Sequence, residues 1–109
     1  MTTQKSKKIV LVTGGSRGIG AAISLELASP EFLVIVNYNN SKSHADLIVE
    51  EIKKRGGDAI SIQANIADEG ECKKLFEEIE KSVGSVDVLI NNAGITRDKS
   101  FRKMELLEW

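Results

Sequence analysis

The chain has 109 residues, 15 of them basic and 16 acidic, and a net charge of -1, which excludes a global field favouring nucleic acid or an acidic membrane surface. The length allows one domain at most, and the apolar runs of the chain are shorter than the roughly 18 residues of a membrane span. A single cysteine, Cys72, excludes an internal disulfide and agrees with the cytoplasmic location that we expect.

The first third of the sequence predicts two strands separated by a helix. Lys8 to Val12 is apolar and β-branched, as in a buried strand. We predict a helix from Gly18 to Ala28, ended by Pro30, and a second strand from Phe32 to Val36. The polar residues 37–41 then predict a loop. The predicted apolar face of this helix consists of Ile19, Ala22, Ile23 and Leu27.

The middle of the chain predicts a second helix and a third strand. Ala45 to Arg55 is amphipathic, Ser41 or Ser43 can cap its start, and the glycines at 56–57 provide a left-handed stop. Ala59 to Ala64 follows as a strand. The apolar stripe of this helix consists of Ala45, Ile48, Val49 and Ile52.

The remaining residues predict a third helix and a fourth strand. Asp68 and Glu71 form a capping box at the start of the helix, and Gly84 ends it. Val86 to Ile90 is a fourth apolar run, followed over residues 91–109 by a turn, a loop and the start of a further helix. The stripe of the third helix consists of Cys72, Leu75, Phe76, Ile79 and Val83.

Strands and helices therefore alternate as βαβαβαβ, which predicts an α/β fold with a parallel sheet covered on both faces. Right-handed crossovers and a glycine turn after the first strand indicate the first half of a Rossmann-type doubly wound sheet, with strand order 3-2-1-4. We expect residues 1–109 to be the N-terminal dinucleotide-binding portion of a single, truncated Rossmann domain.

The most informative stretch is the glycine-rich turn after the first strand. Gly14 permits a tight turn, Gly18 permits close approach of backbone to a pyrophosphate, and Gly20 permits close packing of helix on sheet. The glycine pattern alone also fits an ordinary strand–helix turn, but its place after the first strand favours a nucleotide site.

The end of the second strand indicates which dinucleotide binds. An NAD site usually places Asp or Glu there for the ribose 2′-hydroxyl, whereas residues 37–41 contain neither. Arg17 in the glycine turn can instead hold a 2′-phosphate, which favours NADP, with Asn39, Asn40 and Ser41 as neighbours of the cofactor. The alternative is that Arg17 and Lys42 are solvent-facing charges.

Two segments carry a resemblance to a known family. Thr-Gly-Gly-Ser-Arg-Gly-Ile-Gly at 13–20 and Asn-Asn-Ala-Gly at 91–94 resemble the two N-terminal signatures of classical short-chain dehydrogenases/reductases. Residues 83–98 and 101–104 are similar to acetoacetyl-CoA reductases of polyhydroxyalkanoate biosynthesis, and 3-oxoacyl-acyl-carrier-protein reductases share the sequence of residues 91–98. Asn65, where many members carry Asp, favours the acetoacetyl-CoA branch.

The resemblance implies an NADP-dependent oxidoreductase that converts acetoacetyl-CoA to 3-hydroxybutyryl-CoA and is a homotetramer when full length. The alternatives are a 3-oxoacyl-acyl-carrier-protein reductase of fatty-acid biosynthesis and a non-catalytic nucleotide-binding remnant. The resemblance also implies roles: phosphate binding by Ser16, Arg17, Gly18 and Ile19, adenine contact by Asn65 and Ile66, and ribose and nicotinamide contact by Asn92, Ala93, Gly94 and Ile95.

The family's reaction uses a Ser and a Tyr-x-x-x-Lys pair, which cannot be assigned in this sequence. Tyr38 is the only tyrosine and follows the second strand. His44 and Cys72 are expected to be a surface and a core residue, and no spacing suggests a metal site. We therefore expect no catalytic residue within 1–109, and no turnover by this chain alone.

Overall fold

The computed structural model describes residues 7–92, and within them it contains every strand and helix that the sequence predicts. The turn, loop and helix expected over 93–109 lie outside the described residues. No helix of the described part is long and apolar enough to cross a membrane. The elements are β1 (Lys8–Thr13), α1 (Gly18–Glu26), β2 (Phe32–Tyr38), α2 (Lys42–Lys54), β3 (Asp58–Gln63), α3 (Glu69–Ser82) and β4 (Val88–Asn91).

The four strands form one parallel sheet in the order β3-β2-β1-β4, which confirms the predicted topology. Leu11 of β1 pairs with Ile35 of β2 on one side and with Leu89 of β4 on the other. The chain moves outward from β1 to β3 and then returns to the opposite side of β1, so the strand order reverses between β1 and β4. In open α/β sheets, ligands bind at the carboxyl edge beside such a reversal.

The two faces of the sheet have separate apolar cores. Val10, Val12 and Val34 lie in a core with Ala45 and Ile52 of α2, to which α1 also contributes. Ile9 and Leu11 of β1, together with Ile35 and with Leu75 and Ile79 of α3, form the other core. The two central strands, β1 and β2, are therefore buried on both faces, which explains why their sequences are almost continuously apolar.

The predicted apolar face of α1 is wrong at two positions. Ile19 is 71% exposed and Ala22 is also exposed, whereas Gly20 and Ser24 are the buried residues of this helix. The reason is the close contact that Gly20 makes with the start of the glycine turn. Because Ser24 lies one turn further along the same face, this contact rotates Ile19 towards solvent.

The predicted loop at 37–41 starts two residues later than expected, because β2 continues through Asn37 and Tyr38. Asn37 is 1% exposed and hydrogen-bonded, and Tyr38 belongs to the core that contacts α2. The next helix begins at Lys42 rather than Ala45, and Ser41 occupies its N-cap position without a side-chain capping hydrogen bond. The polarity of residues 37–41 therefore placed the end of β2 two residues too early.

Only one of the two hydrogen bonds of the predicted capping box of α3 forms. Asp68 Oδ1 accepts from the backbone N of Glu71 at 3.1 Å, as expected for an N-cap. Glu71 does not return the bond to Asp68, and its Oε1 accepts from the backbone N of Asn65 at 2.8 Å. The cap therefore also fixes the loop that follows β3. The glycine stop of α2 is confirmed, since Gly56 has a φ of 92°.

Candidate functional site

The glycine turn lies at the carboxyl edge of the sheet, between β1 and α1 and beside the point where the strand order reverses. Gly14 and Gly18 have φ values of 62° and 53°, a left-handed conformation that side chains disfavour. The predicted reason for Gly14 is thus confirmed, and Gly18 needs glycine for its backbone angle as well.

Three side chains hold this turn from beneath. Asn37 Oδ1 accepts from the backbone N of Gly14 at 3.0 Å, and Asn92 Nδ2 donates to the backbone oxygen of Gly14 at 3.1 Å. The hydroxyl of Ser24, which is fully buried, lies 3.2 Å from the carbonyl oxygen of Gly15. The backbone N–H and C=O of Gly14, the first residue of the turn, are therefore both hydrogen-bonded by side chains of the protein.

Gly20 leaves no room for a side chain. A Cβ at this position would overlap the carbonyl oxygen of Gly14 and lie 2.7 Å from Asn92 Nδ2. The lack of room for a Cβ confirms that Gly20 allows α1 to pack closely against the turn and the end of β4. Within α1, Ser24 Oγ also lies 2.9 Å from the carbonyl oxygen of Gly20.

The first turn of α1 has the features of a phosphate site. Its N-cap is Arg17, whose side chain has no acceptor and makes no capping hydrogen bond, and no acidic residue occurs in the first turn. The initial N–H groups of a helix lack intrahelical partners, and the helix dipole favours an anion beside them. Ser16 is 6% exposed beneath this position, while Gly18 and Ile19 face solvent.

The loop between the end of β2 and the start of α2 forms one rim of the site. Arg17 Nη1 lies 3.4 Å from Ser41 Oγ, so its guanidinium reaches across to the loop after β2. Asn39 is exposed, and its two oxygens accept from Gln63 Nε2 of β3 at 3.1 and 3.2 Å. Asn40 beside it is also exposed.

Lys42, the other cation near this rim, is paired. Its Nζ lies 3.0 Å from Asp46 Oδ2, and this hydrogen bond, with the charge of the carboxylate, raises the pKa of Lys42. Arg17 makes no comparable ion pair among the salt bridges of the described residues. It is therefore the better placed cation for a bound anion.

Asn65 and Ile66 form the loop after β3. Asn65 Oδ1 accepts from the backbone N of Ala67 at 3.1 Å, an Asx turn that uses one of its two lone pairs. Ile66 is partly buried and packs against the core beneath α3. The amide of Asn65 thus shapes its own loop while keeping a second lone pair for a ligand.

The end of β4 approaches the same place. Thr13 Oγ1 donates towards Asn91 Oδ1 at 3.2 Å, which joins the last residues of β1 and β4, and Asn92 follows on the glycine turn. The structure therefore brings together the predicted residues of 14–20, 39–41, 65–66 and 92 at one edge. Ala93, Gly94 and Ile95 lie outside the described residues.

The described residues contain no group of His, Cys, Asp and Glu that could hold a metal ion. Tyr38 is buried, His44 is exposed on α2, and Cys72 is buried in α3. Burial raises the pKa of the Cys72 thiol, which disfavours a reactive thiolate. The first turn of α1 and the guanidinium of Arg17 are suited to binding an anion.

Sequence reasoning missed two residues that support the turn. Ser24 looks like an ordinary helical serine, and its only signal is that it lies one helical turn after Gly20. Asn37 was assigned to a loop, although it is the first polar residue after the apolar run of β2. A buried polar residue at a strand end must find hydrogen-bond partners, and here they are the glycine turn, β3 and the loop after β3.

A family model described as short chain dehydrogenase matches residues 8–109. The chain belongs to the short-chain dehydrogenase family. It is 51% identical over 105 residues to the 3-oxoacyl-acyl-carrier-protein reductase FabG of Staphylococcus aureus, covering 96% of this chain and 43% of that protein. It is 45% identical over 107 residues to the corresponding reductase of Synechocystis sp., covering 98% of this chain and 43% of the relative.

Solved structures of this family are similar in fold. The crystal structure of the landomycin C-6 ketoreductase LanV with bound NADP and rabelomycin has a TM-score of 0.71 and 38% identity, covering 82% of this chain and 39% of LanV. The reductase LugOII has a TM-score of 0.70 and 36% identity, covering 81% of this chain and 37% of LugOII. The chain thus spans less than half the length of the relatives it matches.

Proposed function

We propose that residues 1–109 form the dinucleotide-binding portion of an NADP-dependent short-chain reductase that acts on 3-oxoacyl thioesters. The observation that carries the cofactor assignment is the 3.4 Å approach of Arg17 Nη1 to Ser41 Oγ at the end of β2. No carboxylate occurs in residues 37–41, so a 2′-phosphate at this rim meets donors and no fixed negative charge.

The proposed roles follow the geometry of the carboxyl edge. The first turn of α1, with Ser16, Gly18 and Ile19, binds the diphosphate through backbone N–H groups. Arg17 and Ser41 bind the 2′-phosphate beside Asn39 and Asn40, and Asn65 and Ile66 border the adenine. Asn92, with Ala93, Gly94 and Ile95, lines the ribose and nicotinamide side. The nicotinamide supplies a hydride for the carbonyl carbon, while this chain binds and orients the dinucleotide.

The acyl carrier has two candidates. The relatives named 3-oxoacyl-acyl-carrier-protein reductase favour acyl carrier protein, and they support this carrier at least as well as coenzyme A. Asn65 in place of the more common Asp favours acetoacetyl-CoA. Both carriers present the same 3-oxo carbonyl. Initial rates of NADPH oxidation by the full-length protein with acetoacetyl-CoA and with acetoacetyl-acyl carrier protein distinguish the two.

Charge reversal at Arg17 tests the cofactor assignment. We expect R17E to weaken NADPH binding by about 10- to 100-fold and NADH binding by less than about threefold, because only NADPH has the 2′-phosphate. Titration calorimetry with both dinucleotides gives the ratio. K42Q is the control, because Lys42 is already paired with Asp46 and the substitution adds no negative charge at this rim, so it should change both affinities little. An equal loss for NADPH and NADH in R17E would remove the 2′-phosphate assignment.

The polypeptide of residues 1–109 itself is proposed to bind without turnover, because its sequence has no Tyr-x-x-x-Lys pair. Reduction of acetoacetyl-CoA by this polypeptide, in preparations without host reductases, would contradict the proposal. Binding of NADPH by the full-length protein without reduction of either thioester would favour the non-catalytic alternative.

A further inference from the structure

A buried amide joins two loops of the proposed dinucleotide site. Asn37, at the carboxyl end of β2, is 1% exposed. Its Oδ1 accepts from the backbone N of Gly14 at 3.0 Å. Its Nδ2 lies 3.2 Å from the carbonyl oxygen of Ala64 and 3.4 Å from that of Ile62. One side chain therefore reaches the turn after β1 on one side, and the end of β3 with the loop after it on the other.

The partners determine which way the amide points. The peptide N–H of Gly14 requires an acceptor, while the carbonyl oxygens of Ile62 and Ala64 require donors. An asparagine has one carbonyl oxygen and two N–H groups, so it matches all three partners in a single orientation. An aliphatic side chain offers none of these bonds, and an ionised carboxylate offers only the acceptor.

The two loops hold opposite parts of the proposed ligand. Gly14 opens the turn that leads to the diphosphate position, and Ala64 immediately precedes Asn65 at the adenine position. The backbone adds to the contact, because the N of Gly15 donates to the backbone oxygen of Asn37 at 2.9 Å. The spacing between the two loops thus depends on a residue that lies beneath both and outside the proposed contacts with the dinucleotide.

We propose that Asn37 is a positioning residue that holds the glycine turn and the β3 loop at the spacing required by one dinucleotide. It acts through Gly14 and Ala64 and touches no ligand. This inference rests on the proposed NADP site, which it extends by a residue. Its consequence is that loss of the Asn37 amide weakens recognition of the adenine relative to the rest of the dinucleotide.

The test compares NADP with its hypoxanthine analogue, which lacks the adenine amine. In the unsubstituted protein we expect calorimetric titration to show that NADP binds about fivefold more tightly than the hypoxanthine analogue, a difference that corresponds to about one hydrogen bond. In N37A we expect NADP to bind about tenfold more weakly and the preference for adenine to fall below about twofold. A merely stabilising role would not change this preference in the folded protein.

D87A is the matched control. Asp87 Oδ2 also accepts from a backbone N–H of β1, that of Ile9, at 2.8 Å, but at the opposite end of the strand. We expect D87A to keep the fivefold preference. An unchanged preference in N37A, or no preference in the unsubstituted protein, would overturn the inference while leaving the NADP site intact. Failure of the unsubstituted protein to bind either dinucleotide would instead remove the site itself, and the inference with it.

N37D provides a second variant in case N37A does not fold. Burial keeps a carboxyl group protonated to higher pH. At about pH 6 one oxygen can accept from Gly14 while the O–H donates to Ala64, so we expect the adenine preference to be largely rescued. At about pH 8 the ionised group has no proton for Ala64, and we expect the preference to be lost. A preference in N37D equal to that of the unsubstituted protein at both pH values would count against the inference.

Discussion

The two ends of the sheet are held by different kinds of contact. At the amino end, β1 is aligned by bonds to its neighbours: the N of Lys8 donates to the carbonyl of Glu31, and Ile9 and Asp87 exchange two hydrogen bonds. At the carboxyl end, side chains of Asn37, Ser24 and Asn92 bind the backbone of one glycine turn. The first arrangement fixes a strand, and the second fixes the shape of a loop.

The difference shows where this fold uses buried polar groups. Asn37 and Ser24 are each at most 1% exposed, in positions where an apolar residue would fill the core without needing hydrogen-bond partners. A satisfied polar network in the interior specifies one conformation, and a partly satisfied one is costly. The amino end has fewer such groups, since its main side-chain contact, from Asp87, is only partly buried. We therefore expect substitutions at the two ends to separate stability from ligand affinity.

The largest expected effect is that of G20A. The added Cβ would overlap the carbonyl oxygen of Gly14 and crowd Asn92, so α1 must move away from the turn. We expect a loss of about 3 kcal/mol in the free energy of unfolding, measured by denaturant titration, and no detectable NADP binding. G70A is the control, because its Cβ would meet only Asp68 Oδ1, at 3.3 Å. Wild-type affinity in G20A would show that the turn does not depend on this close contact.

A smaller effect is expected at the amino end. D87A removes the carboxylate that accepts from Ile9, and we expect the free energy of unfolding to fall by about 1–2 kcal/mol. The NADP affinity of the folded protein should stay within about twofold, because the turn is held by other side chains. A tenfold loss of affinity, measured by calorimetry where the variant is folded, would break the distinction between the two ends.

The fold was largely predictable because its signals are local. Four apolar runs, three amphipathic stripes and a glycine turn after the first strand determine the order of elements and the parallel sheet. The errors concern α1 and the end of β2. Ile19 looked like a core residue from its spacing, but the close approach of Gly20 to Gly14 turned the helix. That contact joins the helix to the turn before it, so the spacing of apolar residues within the helix cannot predict it.

The candidate site was predictable only where glycine, charge or family resemblance marked it. Gly14 was marked by its residue type, because glycine is the residue that readily adopts a positive φ. Arg17, which lies beside Ser41, was marked by its positive charge within the glycine turn. Asn37 and Ser24 were missed because a buried amide and a buried hydroxyl resemble surface residues in sequence. Their role depends on hydrogen-bond partners that only the folded sheet brings within reach.

The smallest expected effects come from the two helix N-cap positions at the carboxyl end of the sheet, Asp68 and Ser41. Substitutions there distinguish an effect on stability from an effect on NADP affinity. Asp68 caps α3 through Glu71 N, so D68A should lower the free energy of unfolding by about 1 kcal/mol. Ser41 holds the N-cap position of α2 but makes no capping bond, and its hydroxyl contacts Arg17 instead. S41A should therefore cost only about 0.3 kcal/mol, below the usual loss on removing a serine cap.

For NADP affinity we expect the opposite order, with a larger loss in S41A than in D68A. S41A removes the hydroxyl beside the guanidinium of Arg17, so we expect NADP to bind about threefold more weakly, because one hydrogen-bonding group at the 2′-phosphate rim is lost. D68A leaves that rim intact and should change the affinity by less than about twofold. Denaturant titration and calorimetry on both variants give the comparison. If S41A loses stability as D68A does and keeps its affinity, Ser41 is a helix cap and the rim does not extend to it.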